Sequence, residues 1–188
     1  MTEPEPRSQR FVPLQVVQPA TIRQPVDDIE HLYYARGMAR PTYIEIDCKS
    51  AINRVQGMPF RWSLNPYAGC VHACQYCFAR SHYALADRGD ASHDFQTKIY
   101  VKRNLPAVLE RELRRPGWTG ESIALGTSTD PYQPVEGRYR ITRGVLEVLC
   151  RHGNPMSMVT KSPMVFRDVD LLAALAQRAT VRVFFTVT

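Results

Sequence analysis

The stretch AGCVHACQYCFAR, residues 68–80, sets Cys70, Cys74 and Cys77 within eight positions of a 188-residue chain that has five cysteines in all. Their spacing is C-x3-C-x2-C. On an ideal helix such positions share one face, so a small apolar stripe is the plainest use for them. The run-in NPYAGC argues for a loop instead, because Pro66 and Gly69 directly precede the first thiol. Three thiols in a loop suggest a metal. Structural zinc takes four ligands, for which His72, His82 and Cys48 are the candidates to complete the set, but His72 falls inside the first interval and no second C-x2-C pair follows. A four-iron cluster normally takes four thiolates. With three, one iron stays open to a small molecule, an arrangement suited to a substrate-binding cluster.

Outward from this stretch, the composition bounds the setting. A hydrophobic fraction of 44% over 188 residues suits one sizeable core. No apolar run reaches the ~18 residues of a membrane span. The opening MTEPEPRSQRF is proline-rich and lacks an apolar core segment, unlike a secretory signal. We therefore expect no membrane association, a cytoplasmic protein and reduced thiols. The net charge of +6 and pI of about 9.2 are mildly basic. Arg111, Arg114 and Arg115 suit an exposed helix face, so charge alone does not specify nucleic-acid binding.

Residues 1–57 read as an extended or partly disordered N-terminal arm, with five prolines in the first 25 positions. Within it, DDIEHLYYARGM suggests a short helix and PTYIEID alternates like a strand. From residue 58 the pattern becomes regular. RWSLNPYAG is strand-like, and CFARSHYALAD after the thiols is helical. TKIYVKRN is a short extended piece. NLPAVLERELRR is a helix with Asn104 as N-cap, SIALGTST a buried strand, TRGVLEVLCRHG a helix ending on Gly153, and PMSMVTKS a strand. RDVDLLAALAQRA is a helix with Asp168 near its start, and VRVFFTVT a last apolar strand. Strands alternating with helices, apolar on both faces, predict an α/β fold with a parallel sheet. Ligands of such sheets sit at the C-terminal strand ends. Here those ends carry the cysteine loop, GTSTDPYQP (126–134) and TKS (160–162). The last strand is left as an apolar edge, which suggests a fragment of a longer barrel or a covering partner.

The segment CVHACQYC, with Tyr76 in the aromatic slot, resembles the C-x3-C-x-aromatic-C motif of the radical SAM superfamily. The wider set NPYAGCVHACQYCFAR, KIYVKRN, GTSTDPYQPVE and ITR is similar to the branch related to spore photoproduct lyase. The resemblance covers about residues 50–188. It implies a partial (β/α)6 radical SAM barrel, here truncated after about the fourth strand, with its core over residues 58–188. It also implies a [4Fe-4S] cluster on Cys70, Cys74 and Cys77, with S-adenosyl-L-methionine on the fourth iron. The reduced cluster would cleave that cofactor to a 5′-deoxyadenosyl radical that abstracts substrate hydrogen. A flavodoxin- or ferredoxin-like electron donor follows, as does lyase-like chemistry with nucleic acid among the admissible substrates. For cofactor contacts we expect Tyr76 beside adenine, Thr127, Ser128 and Thr129 near its amino or ribose groups, and Lys161 with Ser162 at its carboxylate. The family's glycine-rich motif ending in glutamate is replaced here by GTSTDPYQP. Cys150 reads as a core residue, while Cys48 fits either role. The readings set against this are a zinc module or a passive iron–sulfur carrier without radical catalysis.

Overall fold

The strand expected over RWSLNPYAG is broken at Pro66, and that break organises the architecture. The computed structural model describes residues 40–86 and 88–187; the arm before residue 40, with its expected helix, lies outside them. Trp62–Leu64 (β3) joins one sheet and Tyr67–Ala68 (β4) joins another. Proline has no N–H to give to a ladder, so the chain changes partners there. Before the break come Thr42–Ile46 (β1) and Asn53–Arg54 (β2). After it come Ala79–Leu85 (α1), Asp94–Thr97 (α2), Lys98–Lys102 (β5), Leu105–Leu113 (α3) and Ile123–Leu125 (β6). Val135–Tyr139 (α4), Ile141–His152 (α5), Met156–Thr160 (β7), a 3-10 turn over Pro163–Asp168, Val169–Ala176 (α6) and Val181–Phe185 (β8) complete the order.

The fold is mixed α/β with two open sheets. The larger has the order β2-β3-β6-β7-β8, in which β3, β6, β7 and β8 are parallel and β2 is antiparallel. The smaller has the order β1-β5-β4, with β1 parallel and β4 antiparallel to β5. The expected parallel sheet is therefore present, but antiparallel strands and a second sheet accompany it. PTYIEID supplies β1, and residues 40–57 join the fold through β1 and β2, with Ala51 buried. The backbone N–H groups of Ala51 and Ile52 both donate to Glu112 Oε2, at 3.1 and 2.9 Å.

The main core lies between the large sheet and the helices. Leu64, Ile123, Leu125, Met156 and Met158 from the strands meet Leu105, Leu109, Val145 and Leu149 from α3 and α5. Helix α5 ends as expected on Gly153, whose φ of 60° is the left-handed conformation that stops a helix. Asn104 stands at the N-cap of α3 but does not cap it. Its side chain instead pairs with the backbone of Cys48, accepting from the N–H at 2.8 Å and donating to the carbonyl at 3.0 Å. The edge strand β8 leaves Phe184 and Phe185 about half exposed, and Phe166 stacks on Phe185 at 6.1 Å. Among the described residues no helix is long and apolar enough to cross a membrane.

A buried ionic network ties the turns under the larger sheet together. Glu136 and Asp168 are fully buried and both pair with Arg167, at 2.7 and 2.8 Å. Tyr67 donates to Glu136, and Tyr132 donates to Asp168 at 3.0 Å. Glu136 also accepts from the N–H groups of Thr142 and Arg143, at 2.8 and 3.2 Å, at the start of α5. Removing one partner of such a pair strands a buried charge. Arg167→Met is expected to lower the unfolding free energy by about 3–5 kcal/mol, read by urea denaturation.

Candidate functional site

Because β3, β6 and β7 are parallel neighbours, their C-terminal ends lie side by side. The cysteine loop, residues 69–78, leaves β4 beside those ends. Gly69 starts it with a φ of +85°, and a Cβ there would stand 2.6 Å from the Lys98 carbonyl and 2.8 Å from that of Phe95. Only glycine fits such a position. The Cys70 N–H then donates to Phe95 O at 2.8 Å. From the other side the Gly69 carbonyl accepts from the Thr129 hydroxyl at 2.7 Å and from Gln133 Nε2 at 3.2 Å. Gln133 is fully buried, and its Oε1 accepts from the Val71 N–H at 3.2 Å. Arg80, in the first turn of α1, holds the outer half of the loop. Its guanidinium donates to the carbonyls of Ala73, Cys74, Ala91 and Ser92 at 2.8–3.2 Å and lies over Phe95.

Within this frame Cys70 is buried and Cys74 and Cys77 are half-buried, all as free thiols. Cys70 packs with Ala79, Tyr83 and Phe95, and Cys77 borders the same cluster. Cys48 and Cys150 border the main core instead. Burial first, and the Asp130 charge second, push the Cys70 thiol up to about 12. A bound cation inverts this preference, since coordination deprotonates a thiol outright. Among the described residues no three His, Cys, Asp or Glu side chains form a group that would hold a single metal ion.

Asp130 links the strand ends to the loop. Its carboxylate accepts from the Tyr132 N–H (2.8 Å), the Thr160 hydroxyl (2.7 Å) and the Lys161 N–H (2.7 Å), and His72 Nε2 lies 3.2 Å away. Thus His72 faces Asp130. The Lys161 side chain crosses to the cysteine loop, where Nζ donates to the Tyr76 hydroxyl at 3.0 Å and sits 5.6 Å from its ring centroid. That bond holds the Lys161 ammonium above its ordinary range. Tyr76 itself is 71% exposed. So two of the expected cofactor contacts, Tyr76 and Lys161, are brought together beside Cys74.

The other expected contacts serve the frame. Thr129 is buried with its hydroxyl turned to Gly69. Ser162 is buried and accepts from the Met164 N–H at 3.3 Å, capping the 3-10 turn. Thr127 and Ser128 lie at the end of β6, bonded to the Asn65 side chain through Thr127 Oγ1 and the Ser128 N–H. Sequence reasoning did not single out Asn65, Asp130, Gln133 or Arg80. Asp130 and Gln133 stand inside the quoted GTSTDPYQP, where an aspartate before proline reads as turn chemistry.

An uncharacterized protein of Mycobacterium tuberculosis is 43% identical to this chain over 172 residues, covering 85% of the chain and 50% of the relative. An uncharacterized protein of Methanocaldococcus jannaschii is 30% identical over 128 residues, 68% of the chain and 46% of the relative. A third, from Acidianus two-tailed virus, is 28% identical over 116 residues, 60% of the chain and 38% of the relative. The chain spans about half the length of the first of these. No protein-family model matches it, and no solved structure does.

Arg80 is the main clamp on the outer loop. Arg80→Met is expected to speed amide hydrogen exchange at Ala73 and Cys77 by about tenfold or more, the loss of one or more charge-assisted hydrogen bonds. Exchange within α5 should not change.

Proposed function

We propose that this chain is part of a radical SAM enzyme of the branch related to spore photoproduct lyase, built on a partial (β/α)6 barrel. In this reading Cys70, Cys74 and Cys77 each ligate one iron of a [4Fe-4S] cluster, and S-adenosyl-L-methionine takes the fourth. The observation that carries it is the placement of the three-cysteine loop at the C-terminal ends of β3, β6 and β7, with the Lys161–Tyr76 pair against it. The chain-order run of parallel strands β3, β6, β7 and β8 supports the barrel.

The donor set fits the cluster. A single zinc ion needs its donors within about 2.3 Å of one centre, whereas a four-iron cluster takes one thiolate at each of several irons. Three thiols on one pinned loop suit the second case, and Cys48 and Cys150 pack against a different cluster of residues. When bound, the cluster supplies the electron that cleaves the sulfonium and yields a 5′-deoxyadenosyl radical for hydrogen abstraction. The protein's part is to hold and orient. Thr129, Gln133 and Arg80 fix the loop, and Asp130 fixes the backbone of Lys161. The Lys161 ammonium, steadied by the Tyr76 hydroxyl, offers a cation to the cofactor carboxylate. Tyr76 offers an exposed ring face to adenine. Thr127 and Ser128, held by Asn65 at the β6 end, are the proposed contacts to the cofactor's amino or ribose groups, with Thr129 and Ser162 in the buried layer beneath. A flavodoxin- or ferredoxin-like donor supplies electrons, and lyase-like chemistry on nucleic acid is the proposed substrate class.

The test is anaerobic reconstitution with iron and sulfide. A brown protein with about four irons is expected, with an electron paramagnetic resonance spectrum that changes on adding S-adenosyl-L-methionine. A colourless zinc protein, or a cluster whose spectrum ignores the cofactor, would refute the reading. Cys74→Ala should abolish cluster assembly. Lys161→Ala should keep its iron while binding the cofactor about tenfold or more weakly, the loss of one charge-assisted bond; unchanged affinity would remove Lys161 from the site.

A further inference from the structure

Behind the cysteine loop, on the side of Gly69 and Ala79, lies a cavity of about 210 Å³. That is far above the ~30 Å³ share of one water and below the ~300 Å³ of an ordinary small-molecule pocket. Asn53, Asn65, His82, Arg88, Lys102 and Ser128 line it, and among the described residues no aspartate or glutamate does. Its two tyrosines are already engaged: Tyr67 donates to Glu136, and Tyr83 to the carbonyls of Asp94 and Lys98.

Lys102 is the unusual member. Its Nζ donates to the Asn65 carbonyl at 2.7 Å, and among the described residues no carboxylate pairs with it. An ammonium has three donors, so two are left for a ligand. Burial first holds its pKa down at about 8, opposed by the nearby Cys48 and aided by repulsion from Arg88. Arg88 lies over the Tyr100 ring at 5.6 Å and likewise has no carboxylate partner among the described residues. Two cations lining one half-open cavity, with no acid among its described lining residues, is an expensive arrangement. An anion in that space offsets the cost.

We infer that this cavity binds the phosphate group of a small ligand, with Lys102 and Arg88 as its cations and His82 and Asn53 as further donors. The donors come from β2, α1, the turn after α1 and β5, and donors from several separate elements suit a group with several oxygens better than the two-oxygen edge of a carboxylate. Two cations match a dianion. The volume suits the phosphate itself, whether free or at the end of a nucleotide whose remainder projects outside. The site does not depend on the cluster, and metal-free protein serves to test it.

The experiment is calorimetric titration of the protein, purified in chloride buffer, with inorganic phosphate at constant ionic strength. Acetate and adenosine 5′-monophosphate form parallel arms. Saturable phosphate binding is expected, with acetate at least about tenfold weaker, the worth of one charge-assisted bond. Lys102→Met should weaken phosphate binding by a similar factor or more, and Arg88→Gln, a change at a partly exposed position, provides the second variant should the first fail to fold. Adenosine 5′-monophosphate binding more tightly than phosphate assigns the site to a nucleotide's terminal phosphate. Failure to displace bound phosphate assigns it to free phosphate. The inference is overturned by an absence of saturable phosphate binding, by acetate binding equally well, or by wild-type affinity in the variants that fold.

Discussion

Asp130 stands in the turn after β6, and its two oxygens gather groups from three separate parts of the chain. The Thr160 hydroxyl and the Lys161 N–H come from the end of β7, the Tyr132 N–H from its own turn, and His72 from the cysteine loop. Hydrogen bonds to a charged acceptor contribute about 1.5–3 kcal/mol each, so this one carboxylate fixes two strand ends and a loop against one another. The lateral spacing of parallel strands would otherwise leave their end loops free to drift. With Asp130 in place, the Lys161 backbone is set at the point from which its side chain reaches Tyr76.

A second layer holds the first. Directly after the Asp130 turn, the chain buries Glu136 against Arg167 and the amide N–H groups at the start of α5. A carboxylate at a helix N-terminus satisfies donors that have no partner within the helix. Arg167 passes the connection to Asp168, which also receives Tyr132 and, at 2.8 Å, Arg143. The network thus links β4, the turn after β6, α5 and the start of α6 without relying on apolar contact alone. Buried ions are costly to desolvate, and here they act where irregular backbone offers little else to fix its position.

Much of the larger sheet was legible because its signals are local. The apolar strands SIALGTST and PMSMVTKS, the stripe of α3 and the Gly153 stop of α5 are short-range patterns, and each element appears within a few residues of its expected place. The smaller sheet was not legible. KIYVK reads as an extended piece, but its parallel partner is Thr42–Ile46, ahead of the cysteines, and nothing local announces that pairing. The single strand read over RWSLNPYAG failed for a related reason: Pro66 marks a break, but not a change of sheet. In the site, the thiols, Tyr76 and Lys161 stood out by type and spacing. Asn65, Gln133 and Arg80 did not, because ordinary polar residues become structural only through partners far along the chain, as Gln133 does with Gly69 and Val71. Asn104 shows the converse, a residue with the right type for a cap that tertiary contact with Cys48 claims instead.

The pairing of β1 with β5 encloses the cysteine segment within one long parallel crossover, running from Ile46 to Lys98. Closing such an excursion loses chain entropy before any ladder bond rewards it, and distant strand pairing is slow for that reason. The Phe95 carbonyl that anchors the loop lies at the far end of the same excursion. The local arrangement of the three thiols therefore depends on residues well beyond the motif, and a peptide holding only residues 68–80 lacks the Phe95 carbonyl that receives the Cys70 N–H.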